Sequence, residues 1–550
     1  MPKRYFYSLV TCFLVGFMTG QTSGVYIYGD SAAKIIFKQY FSESSGIHYQ
    51  WSQDPETSYR LIYSWEESPP GEVLGQVPLY LIVNFWNPVS ALSYPDIQEI
   101  FAGRIKNWSS LGGEDLPIKL LVSRGLNPYL PVTAQNVCQV VGSQSEMVKA
   151  VAIDRGGVAI IAWPLVKPQV KVVTINEINP AWVQNQAEME EYQLRTKLVL
   201  IPPPRKWLRD WFNGNRWRDF NFRRAVRQSF SATKLFLGEP PVTVIAAGDV
   251  MLNREVAETS RSKGEEHYPF LKTAGLLTRS DLAFVNLECP VSDRGRQINM
   301  FRADPRFLES LLYAGVDLVS LANNHIMDYG TTAMVDTMKR LEEKGIWYIG
   351  AGRNIEEARK GRLITIRGVK LAFLAYTELG PGFTYTRVPQ HWAATSWLPG
   401  VAAAREDYIR EDVGRVRREA DLVFVSMHWG KEYQHYPTKQ QTILGRAALE
   451  AGADLVIGHH PHVIQGVEFG GKGIVAYSLG NFIFDQIETE TKQGLILEAA
   501  CDKEGIKQIH LIPIQIREEQ PVVAEGKARE EMIKFLASVS DGLENEEVNR

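Results

Sequence analysis

The segment Gly458-His459-His460-Pro461-His462 constrains this chain more than any other. It places three of the ten histidines within four positions, directly after the apolar run Leu455-Val456-Ile457. A short buried strand that ends in a histidine cluster aims imidazoles off the edge of a sheet. Backbone rigidity fixes ligands there, and the loops leave an open face. The plainer alternative is a surface loop that happens to carry histidines.

Four more strand-like runs, all upstream, end in the same kind of residue. Run 242–246 leads into Gly248-Asp249, run 282–285 into Asn286-Leu287-Glu288, run 318–320 into Asn323-Asn324-His325 with Asp328 close behind, and run 422–426 into His428-Trp429-Gly430. Five strand ends thus deliver Asp, Glu, Asn, His and His. These are hard oxygen and borderline nitrogen donors with no thiolate, a set suited to Mn, Fe, Zn or Mg ions, and a bridging carboxylate allows two of them. Singly, each has a simpler explanation: Asp249 as a turn residue, Glu288 as a surface carboxylate, Asn324 and His325 as a helix cap. Turn chemistry does not account for five polar strand ends in one domain, and the joint reading is a metal site.

A chain of 550 residues fits two or three domains. A net charge of -3 with 22% charged residues argues against a nucleic-acid binder and against a disordered chain. Lys3 and Arg4 precede an apolar stretch over 6–18 and a small polar run over 19–24. That is the pattern of an export signal, residues 1–23, either cleaved or kept as an anchor. Outside that segment Cys138, Cys289 and Cys501 remain, widely spaced and odd in number, so neither a disulfide framework nor a thiolate zinc site is expected. Strand-like and helical runs alternate over 24–200 and again over 241–525, so the expected fold class is α/β in both. Residues 201–240 open on three prolines and are rich in Arg and Trp. They read either as a basic aromatic face for a membrane surface or anionic polymer, or as a helix packed on the first domain, followed by a linker. Residues 526–550 read as an amphipathic helix with an acidic tail.

The stretches Ala247-Gly248-Asp249-Val250-Met251-Leu252, Val285-Asn286-Leu287-Glu288, Leu321-Ala322-Asn323-Asn324-His325, His428-Trp429-Gly430, the histidine cluster and Tyr477-Ser478-Leu479-Gly480-Asn481-Phe482 resemble the CapA-type poly-γ-glutamate capsule biosynthesis family, within the calcineurin-like metallophosphoesterase superfamily. The resemblance implies a pair of packed sheets flanked by helices, a two-sheet α/β sandwich of metallophosphoesterase type. It also implies one or two divalent ions, Mn, Fe or Zn. Asp249 and His462 would hold one, Asn324, His428 and His460 the other, with Glu288 bridging. It implies His325 as acid or charge stabiliser at the scissile group, oriented by Asp328, with metal-activated water as nucleophile. Arg302 is expected to clamp an anion, and His459 to stand behind the ligands. Met251 occupies the place of a superfamily histidine, and Glu288 that of an aspartate, which sets the chain apart from ordinary phosphoesterases.

Residues 24–200 are similar to a shortened phosphate-type periplasmic binding protein. The similarity is carried by Tyr28-Gly29-Asp30-Ser31-Ala32 and by Ile100-Phe101-Ala102-Gly103-Arg104-Ile105-Lys106-Asn107-Trp108. It implies Ser31 and Arg124 as oxyanion ligands. Asp30 replaces a small hydroxyl residue and Asn127-Pro128 replaces a Gly-Ser/Thr turn, so the fold is expected with phosphate binding changed or lost.

The resulting expectation is an exported capsule-biosynthesis protein at the outer face of the membrane or in the periplasm. A metal-dependent, hydrolase-like centre would act on an anionic polymer or small anionic substrate, beside membrane-associated capsule synthesis machinery and without nucleic acid. Two alternatives stay open: a non-catalytic surface protein that holds an anionic polymer, and a regulator that responds to an anion through its first domain.

Overall fold

The computed structural model describes residues 25–29, 49–54, 58–64, 72–123, 138–162, 165–179, 191–201, 241–378, 392–470 and 473–543, with isolated positions 33, 34, 37, 222 and 226. The segment 1–23, Ser31, Arg124, most of the basic aromatic segment and the acidic tail lie outside the described residues. No described helix is long and apolar enough to cross a membrane.

Over residues 25–201 the strands form a mixed sheet in the order Tyr49–Trp51, Val25–Gly29, Tyr59–Ser64, Arg195–Ile201, Glu72–Asn84, Gly157–Ala162, Lys119–Ser123, Gln139–Val141, with Val170–Val172 also paired to Glu72–Asn84. Glu72–Asn84 is its spine. Leu79, Leu81, Ile82 and Val83 are fully buried there, which is why the strand reads as an unbroken apolar run rather than an alternating one. Helix Tyr94–Phe101 starts at a reciprocal cap between Ser93 and Asp96 and turns Ile97, Ile100 and Phe101 into the core. Trp108 is buried, its indole N–H donating to the Gly156 carbonyl at 3.0 Å. The run 170–175 divides into Val170–Val172 and Thr174–Ile175, which join different sheets.

Besides a small pair, Ala351–Gly352 with Gly400–Val401, the described strands of residues 242–523 build two large sheets packed face to face, as the resemblance implies. One runs Trp347–Ile349, Leu318–Ser320, Leu282–Leu287, Val242–Val250, Gln493–Asp502, Gly505–Arg517, Gln520–Val523, with Asn481–Ile483 beside Val242–Val250. The other runs Arg362–Ile366, Val369–Thr377, Leu422–His428, Leu455–His459, Gly473–Ala476, Val467–Gly470. Their inner faces share one core: Phe284, Leu318 and Leu497 meet Phe373, Phe424 and Ile457. The ring of Phe373 lies 6.3 Å from Phe284 and 4.8 Å from Phe424. Helices Arg254–Lys263 and Gly330–Lys344 cover the outside of the first sheet, and Glu406–Arg417 and Lys439–Ala451 cover the outside of the second. The first sheet is extended by antiparallel strands over 493–523, beyond the alternating strand and helix pattern. Alternation is legible over 506–516, but Pro513 in the middle of that run reads as a breaker.

Two glycines permit the backbone approaches that bring the strand ends together. The pairing of Val242–Val250 with Leu282–Leu287 slips between Ala246 and Asp249. Gly248 sits at the slip, where a Cβ would fall 2.0 Å from the Gly480 carbonyl oxygen. A Cβ on Gly458 would fall 1.9 Å from the Tyr477 carbonyl oxygen. Gly458→Ala is therefore expected to lose about 1–3 kcal/mol in urea unfolding. Gly275→Ala, whose Cβ would meet nothing within 4 Å, should change little. Equal midpoints for the two variants would refute this account of the close approach.

Candidate metal centre

The parallel strands of both sheets end at one edge, and their ends converge. Asp249 comes from the bulged strand itself, and Glu288 from the residue after Leu282–Leu287. Asn324 and His325 come from the turn after Leu318–Ser320, His428 from the last position of Leu422–His428, and His460 and His462 from the turn after Leu455–His459. All seven are buried.

Donor atoms of Asp249, Glu288 and His428 lie within 4.8 Å of one another, and so do those of Glu288, His460 and His462. Glu288 belongs to both groups, the place the resemblance gives it. His428 lies beside Asp249 in one group and His460 beside His462 in the other, while His462 Nδ1 is also 3.6 Å from Asp249 Oδ2 and the His428 and His460 rings are 4.9 Å apart, so these residues form one connected cluster. His428 Nε2 also lies 2.7 Å from Asn324 Oδ1 and 3.6 Å from Glu288 Oε1, so Asn324 joins the same cluster.

The charge balance of this cluster is one-sided. Glu288 is fully buried, and neither of its oxygens has a hydrogen-bond partner. Burial, and then the Asp249 charge, push its carboxyl well above the usual range. Burial also opposes ionisation of Asp249, but His459, His428 and His462 outweigh it and hold that carboxyl well below the usual range. Asp249 Oδ1 accepts from Asn286 Nδ2 at 2.8 Å, and Oδ2 from the His460 backbone N–H at 3.1 Å. Burial pushes His428, His460 and His462 downward, so their imidazoles are neutral. His462 donates its Nδ1–H to Asn481 Oδ1 at 2.9 Å, leaving Nε2 as a bare lone pair 4.0 Å from Glu288 Oε1. His460 Nδ1 has no partner. Buried carboxylates, neutral imidazoles and orphaned donor atoms facing one another fit a divalent cation with oxygen and nitrogen preference.

Around this cluster stand residues whose roles the sequence reading did not assign. Asn323 Oδ1 accepts from the backbone N–H groups of His325 and Ile326 at 3.1 and 2.8 Å, and its amide donates to the Leu287 carbonyl at 2.8 Å. It thereby locks the Asn-Asn-His turn to the strand that delivers Glu288. Asn286 serves Asp249, and Asn481 serves His462. Asn–Asn–His and Gly–Asn pairs at strand ends were the available signal. Nine described non-glycine residues have positive φ, and four ring the centre: Arg254, Tyr433, His460 and His462. Strained backbone concentrated at one place is characteristic of a functional site.

His325 Nδ1–H donates to Asp328 Oδ2 at 2.8 Å, and the same oxygen accepts from the Phe301 N–H at 2.8 Å. The Phe301 ring packs 4.2 Å from the imidazole. Asp328 is thus placed to fix the ring and tautomer of His325. Arg302 is half-buried beside this pair, its guanidinium 4.1 Å over the Tyr329 ring. His459 lies behind Asp249, Nδ1 to Oδ1 at 3.3 Å. Met251 is buried, and its sulfur accepts from the Asn253 N–H at 3.2 Å, so the side chain belongs to the core. Ser31 and Arg124 lie outside the described residues.

These shifts carry opposite signs. Three imidazoles that are neutral when folded gain protons more readily when unfolded, so the metal-free protein loses stability as pH falls below about 6.5. Glu288 works in reverse and costs stability as pH rises above the ordinary glutamate range. Glu288→Gln is expected to stabilise the chelator-treated protein at pH 8 by about 1–3 kcal/mol while abolishing metal uptake. Thermal unfolding that shows the variant equal to or weaker than wild type would mean that this carboxylate is not the uncompensated group.

A sequence profile described as "Bacterial capsule synthesis protein PGA_cap" matches residues 243–486, a span that contains every donor above. The chain is similar to the "Capsule biosynthesis protein CapA" of Bacillus anthracis, 32% identical over 292 residues that make up 51% of this chain and 69% of that one. It is similar also to the "PGA biosynthesis protein CapA" of Bacillus subtilis, 31% identical over 284 residues, 50% of this chain and 71% of that one. Among solved structures, an ABC-type phosphate transport receptor from Vibrio cholerae aligns with 38% of this chain and 96% of its own at 17% identity and a TM-score of 0.28.

Proposed function

The chain belongs to the bacterial capsule synthesis protein family, and from that premise we propose that it acts in making or assembling a poly-γ-glutamate-type capsule through a divalent-metal, hydrolase-like centre. The observation that carries the reading is Glu288. A fully buried carboxylate without a donor, next to a second carboxylate and within reach of neutral imidazoles, calls for a cation. Asp249, Glu288, Asn324, His428, His460 and His462 would hold it. When bound, such an ion supplies Lewis acidity and activates water.

The protein's own groups would do the rest. His325, its Nδ1–H fixed on Asp328, presents Nε2 to the scissile group and exchanges a proton there. Phe301 closes one side of that imidazole against water. Arg302, supported on Tyr329, would meet negative charge on the substrate. Export fits this role: Lys3, Arg4 and the apolar stretch over 6–18 supply the signal, and the protein would work outside the membrane beside the polymer machinery.

Met251 favours a second reading. Where a further ligand would complete the first position, this side chain is committed to the core, and a protein that holds polymer without cleaving it would tolerate that loss.

Elemental analysis of the purified full chain tests the first reading. Wild type is expected to carry one to about two equivalents of Mn, Fe or Zn, and His428→Ala and His460→Ala to carry less. Unchanged metal in both variants would remove the assignment. His325→Ala should keep its metal while losing about 100-fold in hydrolysis of a phosphodiester or γ-glutamyl amide probe. Metal retained with no His325-dependent hydrolysis would favour the polymer-holding reading.

A further inference from the structure

Arg254 opens helix Arg254–Lys263 with a left-handed φ of 49°, a conformation arginine rarely adopts. The N-cap residue, Asn253, makes no side-chain cap. Asp485, from the turn after Asn481–Ile483, takes over that role by accepting from the Glu255 N–H at 3.2 Å. The same carboxylate grips Arg254 Nε at 2.9 Å and Nη2 at 2.6 Å. Asp485 is thereby saturated and its side chain fully buried, whereas the Arg254 side chain remains 43% exposed. The bidentate grip fixes the guanidinium plane. Its remaining nitrogen, Nη1, faces the Met300 thioether at 3.6 Å, a weak acceptor.

This arginine contacts a ring that packs on the imidazole of His325. Its guanidinium sits 5.3 Å over the Phe301 ring, whose own centroid is 4.2 Å from that of His325. The oriented cation and the imidazole thus share one phenyl ring as neighbour. The next residue, Arg302, stacks on Tyr329, beside Asp328. Two arginines thus rest on aromatic rings next to the residues that hold His325, Arg254 on Phe301 and Arg302 on Tyr329, and cations held in this way suit an acidic ligand.

We infer that Arg254 is a substrate-positioning residue that holds a carboxylate of an acidic chain beside His325, through the guanidinium edge that Asp485 leaves free. This rests on the acidic-polymer reading above and narrows it: the substrate is a polyacid read residue by residue, not a lone anion. A purely structural tie between helix Arg254–Lys263 and the turn at Asp485 would need the ion pair but not the exposed edge.

The test uses the full-length, metal-loaded protein and two fluorescent probes, a γ-linked glutamate decamer and its uncharged methyl ester, followed by anisotropy. Wild type should bind the acid decamer more tightly than the ester. Arg254→Gln should weaken acid binding about tenfold, with ester binding and metal content unchanged. Arg254→Lys, which keeps the charge and a contact to Asp485 but not the planar edge, should fall between them. If both variants bind the acid decamer as wild type does, with metal retained, Arg254 is only a structural tie, and the inference fails while the polymer reading stands. If wild type prefers neither probe, the polymer reading fails and takes the inference with it. Should Arg254→Gln not fold, equal binding by wild type and Arg254→Lys is enough to overturn the proposal.

Discussion

Everything at this site depends on two carboxylates forced together away from water. Asp249 and Glu288 come from neighbouring parallel strands, and both are fully buried. Burying ionised groups is costly unless charge or hydrogen bonds compensate, and for Glu288 neither is present among the described side chains. The imidazoles that offset the Asp249 charge do not do the same for Glu288, and burial pushes His428, His460 and His462 toward the neutral form. Five strand ends thus assemble a cluster whose chemistry fits a positive charge that its side chains do not supply.

The scaffold around the ligands is made largely of asparagines. Asn286, Asn323 and Asn481 each connect a ligand, or the turn that carries one, to a strand or backbone group. An amide can donate and accept without titrating, so it orients charged neighbours without adding to the charge problem. The stretch from Asn481 to Gln486 concentrates this work. Asn481 orients His462, Phe484 packs 4.8 Å from the same imidazole, Asp485 grips Arg254, and Gln486 donates to the Tyr433 hydroxyl at 3.1 Å.

Much of the second region was legible in the sequence because its parallel strands are buried on both faces and so read as plain apolar runs with polar ends. Leu455–His459 and Leu422–His428 are entirely buried, and their last residues point to the site. The strand reading ended too early at Val242–Val250: the run 242–246 continues through a bulge, so Asp249 is a strand residue rather than a turn residue. Bulges depend on the partner strand and leave no periodic trace. The polar strand ends that meet in the cluster could be named from their apolar runs, whereas the distances between their donor atoms depend on how the two sheets pack, which no spacing encodes. The asparagine scaffold escaped notice because a single amide at a strand end has many ordinary explanations.

The candidate donor residues are shared between two sheets. Asp249, Glu288 and Asn324 ride on one, while His428, His460 and His462 ride on the other. The gap between donor atoms is therefore set by the stacked phenylalanines of the shared core, chiefly Phe284, Phe373 and Phe424, rather than by any single loop. The core acts as a spacer gauge for the centre. A change of one methylene deep between the sheets would alter the bite of the site without touching a ligand, and an ion seated there would rivet the two layers together.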